Sequence, residues 1–229
     1  RGDTRVSYSY RANITYQPQG LELLNGGEYT MFLKEAYFNP KLDDAAAYIP
    51  EIQYMHSDAE FPDWRQFNNN TDWLKAVKQT GLEQKHFFSV TGGGDKANFR
   101  VSAGYDHQTG SVIEQKLDRF TERTALDYFI SNRIKVTTNF NFTYTNNHQN
   151  YGDLLGLAYK KMPNLAIYQE EVDGVPTDEY YHMKKSASSV FDKDQKTYQN
   201  PIALAEEAKK NEKSFSIQPE FIIQYDLLG

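Results

Sequence analysis

The sequence predicts an all-β, antiparallel fold: a segment of a transmembrane β-barrel, about six strands of a larger barrel, with short helices in long extracellular loops. Three observations predict it. Six segments alternate apolar and polar residues with the period of two that a strand imposes. Several of them reach or exceed the roughly 9–11 residues that a tilted strand needs to cross a bilayer. The connections between them are alternately short and long, as they are at the two ends of a membrane barrel.

Composition narrows the classes of protein to consider. The chain has 229 residues and a formal net charge of -6, which argues against a basic surface for nucleic acid. Its mean hydropathy of -0.74 leaves no apolar run near the roughly 18 residues of a membrane helix. A membrane-spanning form would therefore be a closed barrel. Cysteine is absent, so the sequence holds neither a disulfide framework nor a thiolate metal site.

The alternating segments appear in order along the chain. They cover residues 4–17, 84–91, 97–107, 118–131, 134–146 and 214–226. In the first, the residues of one face are apolar: Val6, Tyr8, Tyr10, Ala12, Ile14 and Tyr16. The fifth shows the cleanest pattern, and in the fourth Glu122 interrupts the apolar face. Each segment is thus predicted to be a strand with one apolar and one polar face.

Short and long connections alternate along the chain. Only "GGGDKA" separates the second strand from the third, and Asn132 and Arg133 separate the fourth from the fifth. The connections at residues 18–83 and 147–213 are long, and "QTGSVIEQK" is intermediate. A soluble sandwich has no reason to sort its loops in this way, whereas a membrane barrel has tight turns at one end and large loops at the other.

Helices are predicted inside the long connections. One begins near Glu28, and its apolar face is predicted to comprise Tyr29, Phe32, Leu33 and Ala36. "NNTDWLKAVKQTG" predicts a short helix with Asn70 or Thr71 as N-cap and Gly81 just past its end, and "GDLLGLAYKKMP" one that Pro163 stops. "NPIALAEEAKKNE" predicts a helix with Asn200 as N-cap, Pro201 at its first position and Lys209 and Lys210 at its C-terminus.

The two faces of the strands have different predicted environments. Tyrosines and phenylalanines lie near the strand ends on the apolar face, as membrane-interface girdles require, so this face is predicted to contact lipid. The opposite face would line the lumen, with Arg100, Arg119, Arg123 and Asp127. A soluble sheet whose apolar face packs inward is the alternative that the pattern leaves open.

A set of motifs in the right order resembles the early barrel of SusC/RagA-type TonB-dependent outer-membrane transporters. They are Thr71-Asp72-Trp73, Ser89 to Gly93, Gly104-Tyr105 with Gly110, and Arg119 with Arg123. "RGDTRVSYSY" resembles the exit from the plug domain into the first barrel strand, and "LELLNGGEYTMFLKEA" and "NPIALAEEA" resemble recurrent loop elements of that family. The resemblance covers essentially the whole chain.

The resemblance implies the function. Residues 1–229 would be a partial TonB-dependent receptor β-barrel domain, with the plug and the rest of a barrel of about 22 strands outside this chain. The whole protein would import oligosaccharides or peptides across the outer membrane of a Gram-negative bacterium. Its implied partners are TonB, through the N-terminal region, outer-membrane lipid and a SusD-like surface lipoprotein; no cofactor is implied. The alternative is a soluble or surface-attached β-rich glycan-binding module.

Catalytic and metal sites are not predicted. Acidic pairs such as Glu170-Glu171 lie in polar loops, and the five histidines lack HxxxH or HExxH spacing. Aromatic residues in the long connections are the candidates for substrate contact, because aromatic faces stack on sugar rings and peptide side chains: Tyr54, Phe61, Trp64, Tyr180 and Tyr181. Packing of the loops together, or against a partner, explains these residues equally well.

Overall fold

The computed structural model describes residues 2–38, 62–170, 175–182 and 198–227. Its elements, in chain order, are β1 (Gly2–Thr15), α1 (Gly26–Phe38), a 3-10 helix (Pro62–Phe67), α2 (Trp73–Val77), β2 (Gly81–Gly93), β3 (Ala97–Thr109), β4 (Lys116–Ser131), β5 (Ile134–Asn150), α3 (Leu154–Lys160), β6 (Tyr168–Glu170), β7 (Pro176–Tyr180), α4 (Pro201–Glu207) and β8 (Lys209–Tyr225). No helix among the described residues is both long enough and apolar enough to span a membrane.

The chain divides into two compact units. The first, called the sheet unit, comprises residues 1–16, 80–149 and 210–229. The second, called the loop unit, comprises residues 17–79 and 150–209, so it is built from the two long connections. The long connections therefore form a folded unit of their own.

The sheet unit is a six-stranded sheet with the order β1-β2-β3-β4-β5-β8. Neighbouring strands from β1 to β5 are antiparallel. All six predicted strands are present, which confirms the antiparallel β prediction. Several are longer than their alternating segments; β5, for example, continues to Asn150. The described strands form an open sheet and do not close into a barrel.

The register places the predicted apolar faces on one side of the sheet. Tyr105 on β3 lies directly opposite His86 on β2 and Phe120 on β4. Residues that are directly opposite each other point to the same side. Tyr10 is likewise directly opposite His86, and Tyr144 is directly opposite Phe120, so these side chains point to the same side as well. The five residues therefore form one row across five strands, here called the aromatic row.

Short turns lie at one end of the sheet and long connections at the other. At the first end, Gly94 donates a backbone hydrogen bond of 2.7 Å to Ala97. Gly92 lies in β2 beside this turn, and a Cβ atom there would lie 2.8 Å from the tip of the Phe99 ring, so a larger residue would require that ring to move. At the other end, Thr15 is paired with Gly81, so the first long connection leaves from and returns to that end. The predicted sorting of loop length is confirmed.

The loop unit packs α2, α3 and α4 together. Its buried apolar side chains come from both long connections: Leu33, Phe67, Trp73, Leu74, Val77, Leu154, Ala158, Met162, Leu165, Ala166, Tyr181, Ile202, Ala203 and Ala205. The predicted apolar face of α1 is only partly correct, because Leu33 is buried whereas Phe32 is exposed. The hairpin of β6 and β7 was not predicted from the sequence.

Three helix boundaries differ from prediction. The C-cap of α2 is Lys78, and Gly81, predicted to lie just past this helix, is the first residue of β2. The N-cap of α2 is Asp72, whose carboxylate accepts a hydrogen bond of 2.9 Å from the Lys75 backbone, rather than Asn70 or Thr71. The Thr71 hydroxyl is instead used in a tertiary hydrogen bond. Lys209 and Lys210 begin β8 instead of ending α4. The predicted cap of α4, Asn200 followed by Pro201, is confirmed.

Candidate functional site

The apolar face of the sheet is uncovered in this chain. Val6 is 64% exposed and Val101 is 38% exposed, and both lie in the row Val6, Val90, Val101, Thr124 and Phe140. Exposed aromatic and aliphatic side chains continue on either side of this row. A soluble protein rarely leaves so large a contiguous apolar surface in water, so this face requires an apolar environment.

Polar groups begin just beyond the aromatic row, toward the end with the long connections. The Tyr105 hydroxyl donates a hydrogen bond of 2.7 Å to the Asp118 carboxylate, and His107 Nδ1 lies 2.7 Å from the same oxygen atom. Gln84 and Asn146 lie in the same row as His107 and Asp118. The apolar face therefore ends at a line of aromatic rings followed by a line of polar side chains.

Glu122 and Phe87 depart from this pattern. Glu122 lies on the apolar face, two residues from Phe120, and accepts a hydrogen bond from the Thr124 hydroxyl. Phe87 is the reverse case, because it lies on the polar face opposite Gly104 and is exposed. Sequence alternation alone did not single out Phe87.

The polar face carries the charged residues that the sequence assigned to the lumen. Arg119 forms an ion pair of 3.1 Å with Asp106. Asp127 is 3.1 Å from the Lys135 ammonium and accepts a hydrogen bond of 2.6 Å from the Thr137 hydroxyl. The register places Arg100, Arg119, Arg123 and Asp127 on the same face of the sheet. Among the described residues, Arg100 and Arg123 form no ion pair.

The Thr71-Asp72-Trp73 motif holds the two long connections together. The Thr71 hydroxyl donates a hydrogen bond of 2.6 Å to the Leu165 carbonyl, and its backbone N–H donates one of 2.7 Å to Pro163. The Trp73 indole N–H donates one of 2.9 Å to the Met162 carbonyl. Asp72 caps α2 between them. We call this set of contacts the loop clamp.

Two further polar residues stabilise the loop unit. Asn200 caps α4 and also donates a hydrogen bond of 2.8 Å to the Ile167 carbonyl. The Lys161 ammonium donates one of 2.9 Å to the Tyr198 carbonyl and lies 5.8 Å from the centre of the Trp73 ring. Burial lowers the pKa of Lys161 from 10.5 to about 8. This cation is thus held inside the loop unit without a carboxylate partner among the described residues.

The predicted loop aromatics have different environments. Tyr181 is 5% exposed and packs edge-on against Phe67 at 6.3 Å, which agrees with the alternative that loop aromatics pack the loops together. Tyr180 stacks on Tyr168 at 5.3 Å, and its hydroxyl donates a hydrogen bond to Glu206. Desolvation, with Glu206 beside it, raises the pKa of Tyr180. Trp64 lies in the 3-10 helix; Tyr54 and Phe61 lie outside the described residues.

The described part of the chain contains no group of three or more histidine, cysteine, aspartate or glutamate side chains that could hold a metal ion. The candidate functional features are therefore surfaces: an apolar face, a charged face on the other side of the same sheet, and a folded loop unit.

No protein-family model matches the chain. It is 29% identical over 169 residues to TonB-dependent receptor P3 of Formosa agariphila, a match that covers 69% of this chain and 15% of that receptor. It is 27% identical over 145 residues to TonB-dependent receptor P39 of the same organism, covering 63% of this chain and 12% of that receptor. The chain thus spans about a seventh of the length of these relatives.

The fold is shared with solved structures of one transporter. The structure of the RagAB peptide transporter matches 99% of this chain with a TM-score of 0.63 at 18% identity, covering 26% of the matched chain. The RagAB peptide importer in the "closed-closed" state matches 78% of this chain and 22% of that chain, with a TM-score of 0.53 at 20% identity. The fold of this chain is therefore shared with part of these RagAB chains.

The comparisons confirm the resemblance to SusC/RagA-type TonB-dependent transporters that the sequence motifs indicated. The relatives are receptors and transporters, not enzymes, which confirms the prediction that the chain is not an enzyme.

Proposed function

We propose that residues 1–229 form part of the β-barrel domain of an outer-membrane transporter that imports a nutrient with energy from TonB. The observation that carries the proposal is the uncovered apolar face bounded by the aromatic row. A lipid bilayer provides the apolar environment that this face needs. The similarity to TonB-dependent receptors supports the same function.

The height of the apolar face fits a bilayer. On β4 it extends from Phe120 in the aromatic row to Ile130 near the short turn. Ten residue steps of about 3.3 Å span roughly 33 Å along a strand. A tilt of about 40° reduces this to roughly 25 Å along the membrane normal, the height of the lipid-facing band of an outer-membrane barrel. The polar face of the same strands would then line the lumen of a larger barrel of about 22 strands.

The long connections are assigned to the cell exterior and the short turns to the periplasm. The loop unit, which is built from these long connections, offers a surface for a SusD-like lipoprotein. Its exposed large apolar side chains support this role: Leu21, Leu23, Leu24, Met31 and Phe32. Such residues are typical of protein–protein contacts when they cluster on a surface. Among the substrates implied by the family, the RagAB structures favour peptides, and oligosaccharides are the alternative.

Import is tested with the full-length protein in its native host. Fluorescent peptides and oligosaccharides are supplied to wild-type cells, to cells lacking the gene and to cells lacking TonB. We expect uptake of one class of compound to require both the gene and TonB. Uptake that is unchanged in both deletion strains would contradict the proposal.

Orientation is tested by labelling cysteines on intact cells. A cysteine at Asp178 in the loop unit should react with an impermeant thiol reagent, and one at Asp95 in a short turn should react only after the outer membrane is opened. Both residues are exposed, so reactivity depends on the compartment. A protein recovered in the soluble fraction would instead favour the glycan-binding module.

A further inference from the structure

A carboxylate interrupts the apolar face in the middle of the sheet. Glu122 on β4 lies directly opposite Ala103 on β3 and Phe142 on β5, so its side chain points to the same side as theirs. Its hydrogen-bond partner is the Thr124 hydroxyl, and it forms no ion pair with the described residues. Ionisable side chains at membrane depth are costly and are as a rule paired. The carboxylate therefore calls for a cationic partner.

The partner has to come from outside the barrel. β4 lies inside the sheet between β3 and β5, so further strands of a barrel would be added at the edges of the sheet and not beside Glu122. A plug domain would face the opposite side of the sheet, where Arg119 and Asp127 lie. In the proposed location, the surroundings of the Glu122 side chain are the lipids of the bilayer.

Aromatic rings flank the carboxylate. Phe120 is two residues from Glu122 on the same face of β4, and Phe142 is directly opposite Glu122. The centroids of the two rings are 6.2 Å apart and their planes are tilted by 55°. On the other side of Glu122 the small side chain of Ala103 leaves room. Ammonium groups are attracted both to carboxylates and to aromatic rings, so this combination favours an ammonium ligand.

The depth of Glu122 corresponds to the region just below the lipid headgroups. Glu122 is two residue steps inside the aromatic row, which is roughly 7 Å along the strand. A strand tilt of about 40° reduces this to roughly 5 Å along the membrane normal. Aromatic rows of this kind mark the membrane interface. The carboxylate is therefore closer to the headgroups than to the centre of the bilayer.

We propose that Glu122, Phe120 and Phe142 bind the ammonium headgroup of a membrane lipid. The Glu122 carboxylate accepts hydrogen bonds from the ammonium N–H groups, and the two rings add cation–π attraction. The ligand is a lipid with a primary ammonium group, because a quaternary ammonium has no N–H to donate. This proposal rests on the proposed function in one respect, which is that the apolar face contacts lipid.

Native mass spectrometry of the purified full-length protein in detergent counts bound lipids and requires no transport. The probes are phosphatidylethanolamine, phosphatidylcholine and phosphatidylglycerol with identical acyl chains, which carry a primary ammonium, a quaternary ammonium and no ammonium group. We expect one phosphatidylethanolamine molecule to bind about tenfold more tightly than phosphatidylglycerol, the effect of one charge-assisted hydrogen bond. Phosphatidylcholine should bind with intermediate affinity, because it keeps the charge and loses the hydrogen bonds.

Glu122→Gln removes the charge and keeps a hydrogen-bond acceptor, so it should abolish the preference for phosphatidylethanolamine. Phe142→Leu should weaken phosphatidylethanolamine binding about threefold, the effect of one cation–π contact. Phe99→Leu is the matched control, because Phe99 lies on the same face but opposite Gly92 and Leu126 rather than a carboxylate. Heat-modifiable gel mobility confirms that each variant folds.

Equal binding of the three lipids to the wild-type protein, or a Glu122→Gln variant that keeps the preference, would overturn the proposal. An effect of Phe99→Leu as large as that of Phe142→Leu would do the same, since it would assign the selectivity to the apolar face in general. A wild-type dimer that Glu122→Gln converts to a monomer, with lipid binding unchanged, would show that a second copy occupies this position instead.

The lipid site and the import function fail separately. If phosphatidylethanolamine is preferred as expected but deletion of TonB leaves uptake unchanged, the import function fails and the lipid site stands. If uptake requires TonB but the three lipids bind equally, the import function stands and the lipid site fails.

Discussion

The indole nitrogen of Trp73 donates a hydrogen bond of 2.9 Å to the carbonyl oxygen of Met162, although the two residues are 89 positions apart in the sequence. Trp73 is 3% exposed, so the bond is made in the interior of the loop unit. Thr71 makes two further hydrogen bonds to the same segment. The motif that indicated the family thus has a structural role, which is to join two long connections.

Replacing Trp73 with phenylalanine should lower the local stability of the loop unit by about 1–3 kcal/mol, because the buried Met162 carbonyl loses its donor. Alanine should cost about 3–5 kcal/mol, since it also leaves a cavity. Proteinase K digestion of outer membranes measures this, with cleavage about tenfold faster for each 1.4 kcal/mol lost. Tyr151→Phe is the control, as Tyr151 is 71% exposed. Cleavage of Trp73→Phe at the wild-type rate would contradict the role of the loop clamp.

Asn200 should tolerate serine better than alanine. Its side-chain oxygen accepts hydrogen bonds from Ile202 and Ala203, and its amide donates to Ile167. Serine preserves the cap and loses the amide donor, whereas alanine loses both. We expect Asn200→Ala to cost about 1–2 kcal/mol more than Asn200→Ser, the usual value of an N-cap. The same protease assay ranks the two variants, and equal cleavage rates would show that the cap contributes little.

The loop unit should become more stable as the pH rises from about 8 toward 10. Lys161 has its pKa lowered to about 8 by burial, so in this range the unfolded state binds more protons than the folded state. Below pH 8 both states are protonated and the cost of burying the charge is fully present. Protease resistance should therefore be higher at pH 9.5 than at pH 7.5, after correction for protease activity with a control substrate.

Two variants test the origin of this pH dependence. Lys161→Met should remove most of it, and Lys160→Met, at the exposed neighbouring residue, should not. Above pH 10 the raised pKa of Tyr180 acts in the opposite direction, because the unfolded phenol ionises first and stability falls. A pH profile that Lys161→Met leaves unchanged would assign the effect to another group.

Arginine should be tolerated on one face of β1 and not on the other. At Val6, in the middle of the apolar face, it should cost roughly 2–4 kcal/mol in a bilayer. At Ser9, which is also exposed but lies on the polar face, it should cost much less. Urea unfolding of the full-length protein in lipid vesicles gives the two free energies. Equal costs would contradict the assignment of the two faces.

Added bulk distinguishes lipid from a packed core. The double variant Val101→Leu, Ala103→Leu enlarges two neighbouring positions of the apolar face, which lie opposite Val90 and Phe88. Fluid lipid should accommodate the extra methyl groups, whereas a close-packed core would lose about 1–3 kcal/mol. Normal heat-modifiable mobility and refolding yield are expected. A clear loss of folded protein would favour a soluble sheet.

The strands of the sheet unit were predictable because one physical constraint acts along their whole length. In a strand with one apolar face, apolar and polar side chains alternate with a period of two. This alternation predicts strands at Val6 to Tyr16 and at Ile134 to Tyr144. The strand ends were not predictable in the same way. Beyond the aromatic row both faces are polar, as at Asn147 to Asn150, so alternation disappears while the backbone pairing continues.

The loop unit was harder to predict, because its structure depends on contacts that are distant in sequence. Thr71 is a good N-cap residue by itself, yet its hydroxyl binds Leu165 and Asp72 takes the cap. Tyr180 and Tyr181 are neighbours with the same side chain, and only the fold shows that Tyr181 is buried while Tyr180 stacks on Tyr168.

The loop unit is assembled from two segments between which β2, β3, β4 and β5 are located. While those strands are unfolded, contact between the two halves has a high entropic cost, because closing a longer flexible loop loses more chain entropy. Once the four strands have paired as consecutive hairpins, the ends of the two halves are held near one end of the same sheet. We therefore expect the contact between Trp73 and Met162 to form after the hairpins, so that protease resistance of the loop unit develops only once the four strands have paired.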